Sequence, residues 1–286
     1  MKVLKDLSLL IRLLLIAALW PAWLGAAGNA ELRLTLRTRV EAFKGSGVWE
    51  EVRFQQAFPA PQTALLICDM WDKHWCIGAT RRVDALVKKM APVVDEARSH
   101  GVLIVHSPSE TMDSYKDAPQ RRRMLELPTL QPPPNLDLSD PALPIDTSAG
   151  GCDTPEKFYK AWTREHPGLR IAENDIISDK GTEIYSFFHQ QGIKHLLVMG
   201  VHTNMCVLNR SFAIKQMTKW GIRCVLVRDL TDSMYDPKAR PYVTHEQGTE
   251  LVIQHIEKYW CPTVESGELM RALKDVRYSP SGRRQP

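Results

Sequence analysis

The strongest constraint on the fold is an alternation of short, wholly apolar runs with segments of helical spacing. Thr63-Ala-Leu-Leu-Ile-Cys-Asp69 is bounded by Pro61 and an acid, and its length and uniform apolarity predict a buried strand. Over residues 81–100, Val83, Leu86, Val87, Met90, Val94 and Ala97 recur at helical spacing; Gly101 ends the segment, and Pro92 is predicted to kink it. Val102-Leu-Ile-Val-His106 is the next strand, so strand, helix and strand form a parallel crossover. The rhythm lapses over residues 108–170, which carry Pro132-Pro133-Pro134, Pro141, Pro144 and Gly150-Gly151. A connection of that length is usually functional, as a lid or a pocket wall. It resumes at Asp175 with a helix at 183–191, a strand at 195–201, a helix at 205–220, a strand at 223–229 and a helix at 245–260. The sum is a three-layer α/β/α domain around a mostly parallel sheet, spanning residues 59–265. Alternating Leu32, Leu34 and Leu36, then Val48 and Val52, predict an appended edge strand or hairpin over 31–58.

The two ends read differently. Lys2 and Lys5 precede an apolar stretch broken only by Arg12, and Gly25, Ala26, Ala27, Gly28 and Ala30 follow it. A charged start, a short apolar middle and a small-residue exit predict a secretory signal peptide over residues 1–30, and hence an exported protein, periplasmic or extracellular. The rival is an uncleaved anchor, but the apolar run from Leu13 to Leu24 contains Pro21 and is short for a bilayer. Residues 266–286 end in basic and small residues and read as a basic, flexible tail. Removing residues 1–30 lowers the formal charge from +4 to +2, which gives no electrostatic case for nucleic acid. No membrane contact is expected once the signal is removed. Of the six cysteines, Cys68 and Cys224 sit in apolar strand runs and read as small buried hydrophobes, while a bridge among Cys76, Cys152 and Cys261 stays open.

In open parallel sheets, ligands bind beyond the carboxyl ends of the strands. Three strand ends carry reactive residues: Asp69, His106, and the stretch Gly200-Val-His-Thr-Asn-Met-Cys206. Cys206 opens a helix, where backbone N–H groups and the helix dipole favour a thiolate and could hold an oxyanion, so a thiolate at neutral pH is expected. A lone helix-start cysteine that merely packs, or a strand-end acid that caps a turn, would look the same.

Taken together, Ile67-Cys-Asp69-Met, Asp175-Ile-Ile-Ser-Asp-Lys180 and Gly200-Val-His-Thr-Asn-Met-Cys-Val207 resemble the isochorismatase-like cysteine hydrolases, the superfamily of nicotinamidases and N-carbamoylsarcosine amidohydrolases. The resemblance covers about residues 60–260 and is most specific at the last stretch. It implies Cys206 as nucleophile, Asp69 as the base that takes its proton, and Lys180 as the cation holding both. It further implies a cis peptide at Val201–His202 that aims the N–H groups of His202 and Cys206 into an oxyanion hole. Lys180 here adjoins Gly181-Thr182 directly, a shorter connection than the family's, so its place beside the other two is at issue. The histidines that nicotinamidases use for a metal have no match after the second strand, so nicotinamide is not the expected substrate. No cofactor is expected.

Around Asp69 stand Trp71, Asp72, His74, Trp75 and Cys76. Trp71, His74 and Trp75 are expected to line a substrate pocket, with His106 and Asn204 as further wall residues; they favour a flat or hydrogen-bonding small molecule. Asp72, His74 and Cys76 alternate, and a loose alternative is a metal held by them with His106 or Cys152-Asp153. Three readings follow. The first is an exported cysteine hydrolase cutting a C–N bond in a small amide or ureide, which relatives suggest could be a homo-oligomer. The others are a catalytically silent binding module of the same fold, and a metal-assisted hydrolase using Asp72 and His74.

Overall fold

The computed structural model describes residues 30–276. The expected signal segment, apart from Ala30, and the last ten residues lie outside them. Among the described residues no helix is long and apolar enough to cross a membrane.

A single eight-stranded sheet organises the chain, in the order β2-β1-β8-β7-β6-β3-β4-β5. Its centre is β3 (Thr63–Cys68), flanked in parallel by β4 (Leu103–Ser107) and β6 (His195–Val201). Every residue of β3 and β6 is buried, as expected of strands covered on both faces. Beyond β4 lies the two-residue β5 (Ile176–Ile177), and beyond β6 lie β7 (Arg223–Asp232) and β8 (Thr263–Val264), all parallel. Of the edge strand or hairpin expected over 31–58, the hairpin forms, as β1 (Glu31–Glu41) and β2 (Trp49–Pro59), antiparallel to each other, with β1 joined antiparallel to β8.

Helices cover both faces. On one, α1 (Ile77–Ser99) and α7 (Ser266–Lys274) pack with Leu32, Leu34 and Leu36 of β1 in one apolar cluster. On the other, α3 (Gly181–Gln191), α5 (Ile214–Lys219) and α6 (His245–Tyr259) contribute Ile184, Phe188, Ile214, Met217, Val252 and Ile256. A short α2 (Pro119–Leu125) is the one α-helix within the long connection, which is otherwise mostly irregular.

Three local expectations need correction. The segment expected to begin a flexible tail is partly α7: Leu269 and Leu273, four apart, are fully buried on the core, and burial of that stripe outweighs the polar flanks. Secondly, α1 begins at Ile77, four residues before its expected start, and is helical through Pro92. Thirdly, the helix expected over 205–220 is two short ones, α4 (Cys206–Asn209) and α5, because the chain turns extended at Arg210.

Two glycines allow the close approaches that bring the site together. Gly200 lies in β6 at φ 120°, and a Cβ there would collide with the Cys68 carbonyl. Gly181 packs its backbone on the break between α4 and α5: its N–H donates to Ser211 Oγ at 3.0 Å, and a Cβ would strike the Ser211 carbonyl. β7 runs to Asp232, past its predicted end, through an irregularity in its pairing with β6 between Val198 and Gly200.

Candidate active site

The carboxyl end of β3 delivers Asp69, whose side chain is fully buried and whose φ is 49°. Its Oδ1 accepts the Ser109 N–H at 2.7 Å, so the loop after β4 wraps the carboxylate. The carboxyl end of β6 delivers Cys206, across a cis peptide at Val201–His202. The Cys206 thiol and the Asp69 carboxylate are near enough for each to shift the other's affinity for a proton. First-turn helix amides have no intrahelical acceptor, and no hydrogen bond from the His202 or Cys206 N–H is found among the described residues. Two backbone donors near the sulfur are therefore open to an oxyanion.

The cation at this pair is an arginine. Arg210 Nε donates to Asp69 Oδ2 at 3.2 Å, its Nη2 donates to Glu110 Oε1 at 3.1 Å, and its side chain also interacts with Cys206. Lys180 is elsewhere. Its side chain is 64% exposed, and its ammonium lies 3.6 Å from Glu183, the residue three further along α3. The shortened connection makes Lys180 the residue that caps α3, with Gly181 held against Ser211, and so turns its side chain outward. The geometry thus joins Asp69 to Cys206 and leaves Lys180 out. No motif in the sequence points to Arg210, although its place four residues after Cys206, one helical turn, is a usable signal.

Burial and the neighbouring charge of Asp69 push the Cys206 thiol well up, with Arg210 only partly offsetting them. Burial likewise raises the Asp69 carboxyl, against the pull of Arg210, Cys206 and Ser109. This differs from the expected resting thiolate: desolvation beside a carboxylate outweighs the single turn of helix that follows Cys206.

Aromatic rings wall the space next to the sulfur. Trp71 stacks on Trp162 with centroids 4.4 Å apart, His74 stacks on Trp162 at 5.7 Å, and Trp75 meets Phe158 edge-on at 5.7 Å. Trp71, Trp162, Trp75 and Cys206 form one apolar cluster. His74 Nδ1 accepts the Cys76 N–H at 3.1 Å, which fixes the proton of a neutral ring on Nε2. Burial, and then the charge of Arg82, lower His74 to about 4. Burial, and then His74, lower His202 to about 3. At neutral pH both rings are uncharged. Trp162 Nε1 and His202 Nε2 are buried without a partner among the described residues.

Two expected wall residues are occupied elsewhere. His106 is fully buried, with Nδ1 2.7 Å from Glu165 and Nε2 3.0 Å from Asp175, so it ties the long connection to the sheet. Those acids raise it to about 9, although burial alone would lower it. Asn204 is buried too, its amide donating to the Met234 carbonyl and accepting the Met234 N–H. The cluster proposed for a metal is also spoken for. Asp72 accepts from the Thr163 N–H and hydroxyl and the Arg164 N–H, and no three-ligand group among the described residues contains Asp72 or His74. Cys76 and Cys152 form a disulfide, while Cys68, Cys224 and Cys261 are buried thiols. Next to the disulfide, Arg82 grips Asp153 at 2.6 Å and Asp232 at 2.9 Å, holding the connection against the end of β7.

Several solved proteins are similar to this chain. A cysteine hydrolase from Pseudomonas syringae pv. phaseolicola 1448A has the same fold at 13% identity, covering 77% of this chain and 96% of its own, with a TM-score of 0.50. An isochorismatase from Pseudomonas putida KT2440 matches at 15% identity over 73% of this chain and 90% of its own, with a TM-score of 0.45. The pyrazinamidase of Pyrococcus horikoshii, solved in complex with zinc, matches at 15% identity over 72% and 99%, with a TM-score of 0.42. No curated protein matches. The model of the isochorismatase domain matches residues 63–245, and the chain belongs to the isochorismatase family.

Proposed function

We propose that the protein is a cysteine hydrolase that cleaves a C–N bond in a small amide or ureide, with Arg210 in the place that the family resemblance assigns to Lys180. The observation that carries this reading is the grouping of the buried Asp69 with the partly buried Cys206 and Arg210 beyond the carboxyl ends of β3 and β6. The resting thiol is protonated, because burial and Asp69 oppose the thiolate. Its proton passes to Asp69 as the sulfur forms a bond to the substrate carbonyl. The N–H groups of His202 and Cys206 receive the oxyanion. Collapse breaks the C–N bond, and the amine or ammonia leaves with the proton returned by Asp69. Water then attacks the thioester, giving its proton to Asp69, and the acid departs as the proton returns to sulfur. Arg210 holds Asp69 ionised between these transfers. Uncharged aromatic walls favour a flat acyl group. Export follows from the N-terminal sequence pattern and belongs to the same reading.

The test is a screen of small amides and ureides with the wild type and Cys206→Ala. Release of amine by the wild type, abolished in the variant, supports the reading. Turnover that survives Cys206→Ala refutes the mechanism, and ligand binding without any turnover points to a silent binding module.

A further inference from the structure

The sheet ends on two unequal edges. β5 is two residues long, whereas β2 has eleven residues, all paired with β1 in unbroken register. Among the described residues nothing pairs with the outer side of β2. Natural proteins blunt such an edge with proline, a bulge or charged side chains; between Trp49 and Phe58 this strand has no proline and no bulge, and its charges, Glu50, Glu51 and Arg53, are of both signs, so they can attract as well as repel a second copy. Val52 and Phe54 are each 37% exposed on one face. The opposite face carries Glu51 and Arg53, which pair with each other at 3.0 Å within the chain while both side chains stay partly exposed.

We infer that β2 pairs antiparallel with β2 of a second copy, about a two-fold axis at Val52, joining the two sheets into one. The charges select that register. Hydrogen bonding in an antiparallel ladder requires residues of like parity to face each other, so a symmetric pairing is centred on one residue. Centring on Glu51 or on Arg53 sets each against its own copy, a repulsive arrangement. Centring on Phe54 brings no opposite charges together. Only Val52 as the centre places Glu51 opposite Arg53 of the copy, twice by symmetry, with Val52 facing itself. The partially exposed apolar side chains of the edge then lie along a continuous sheet surface.

Sedimentation velocity on the purified chain tests this, beside Arg53→Glu and Val52→Lys. The wild type is expected to be a dimer. Each substitution should weaken dimerisation by about tenfold or more, since it sets like charges at the symmetric centre, while circular dichroism and the melting temperature stay those of a folded monomer. Val52→Cys should cross-link copies on mild oxidation through residue 52, and Gln55→Cys, which faces Trp49 in this register, should not. A monomer at the highest soluble concentration, a dimer indifferent to both charge substitutions, or equal cross-linking through positions 52 and 55 overturns the inference.

Discussion

Replacing Arg210 by alanine removes the only positive group in contact with the Asp69 carboxylate among the described residues. Opposite unit charges 3.2 Å apart attract by about 5 kcal/mol at an effective dielectric of 20. The guanidinium spreads its charge, is 31% exposed and also serves Glu110, so about half of that, 2–3 kcal/mol, is available to the reaction. The expected loss in kcat/KM is therefore about a hundredfold on the best amide substrate. The pH profile supplies a second reading. Arg210 opposes the upward push of burial on Asp69, so its removal raises the carboxyl further and the acid limb of activity moves to higher pH. Lys180→Ala, altering an exposed ammonium paired with Glu183, should leave rate and profile within about twofold of the wild type. Arg210→Lys should recover part of the loss. A Lys180→Ala enzyme as impaired as Arg210→Ala, or an Arg210→Ala enzyme with an unmoved acid limb, would refute the assignment of the cation.

Alkylation of Cys206 in the free protein should be slow near neutral pH and accelerate only above the ordinary thiol value of ~8.5, since burial and Asp69 both oppose the thiolate. Asp69→Asn should speed alkylation while abolishing turnover, and a wild-type thiol that titrates below ~8.5 would contradict this. His106 is raised to about 9 by Glu165 and Asp175, so its stabilisation is complete below the unfolded value of ~6.5 and is lost as pH rises through 9. Melting temperature should fall over that alkaline range and lose that dependence in His106→Gln. The Cys76–Cys152 bridge closes a loop of separation 76, worth up to about 4.5 kcal/mol by chain entropy. Denaturant unfolding of Cys152→Ala should show a loss of that order, and unchanged stability would show that the Arg82 clamp suffices alone.

The parts of the fold legible in the sequence were those set by local periodicity. The runs at 63–68 and 195–201 could be read as strands because a strand covered on both faces needs apolar side chains at every position. The hairpin of β1 and β2 followed from alternation at Leu32, Leu34 and Leu36. α7 is not legible in the sequence because its apolar residues are few and lie next to a polar end, and packing on the core decides it. The break at Arg210 was illegible because the helical pattern runs on through it, while close contact between Ser211 and Gly181 depends on residues thirty positions apart. His106 and Asn204 stood at the expected strand ends, but their directions depended on Glu165, Asp175 and Met234 from other segments.

By itself the sequence determined the order of the longer strands and helices between residues 63 and 260, the family, and the presence of an aspartate and a cysteine at the ends of two apolar strands. Those features are written in local spacing and short motifs, which survive without knowledge of what packs where. Only the tertiary structure decided which cation meets Asp69, which of the candidate cysteines form a disulfide, and which polar side chains are used up in holding the long connection. Each is a contact between segments far apart in the chain, and a side chain's chemistry depends on burial and on the charges that fold against it.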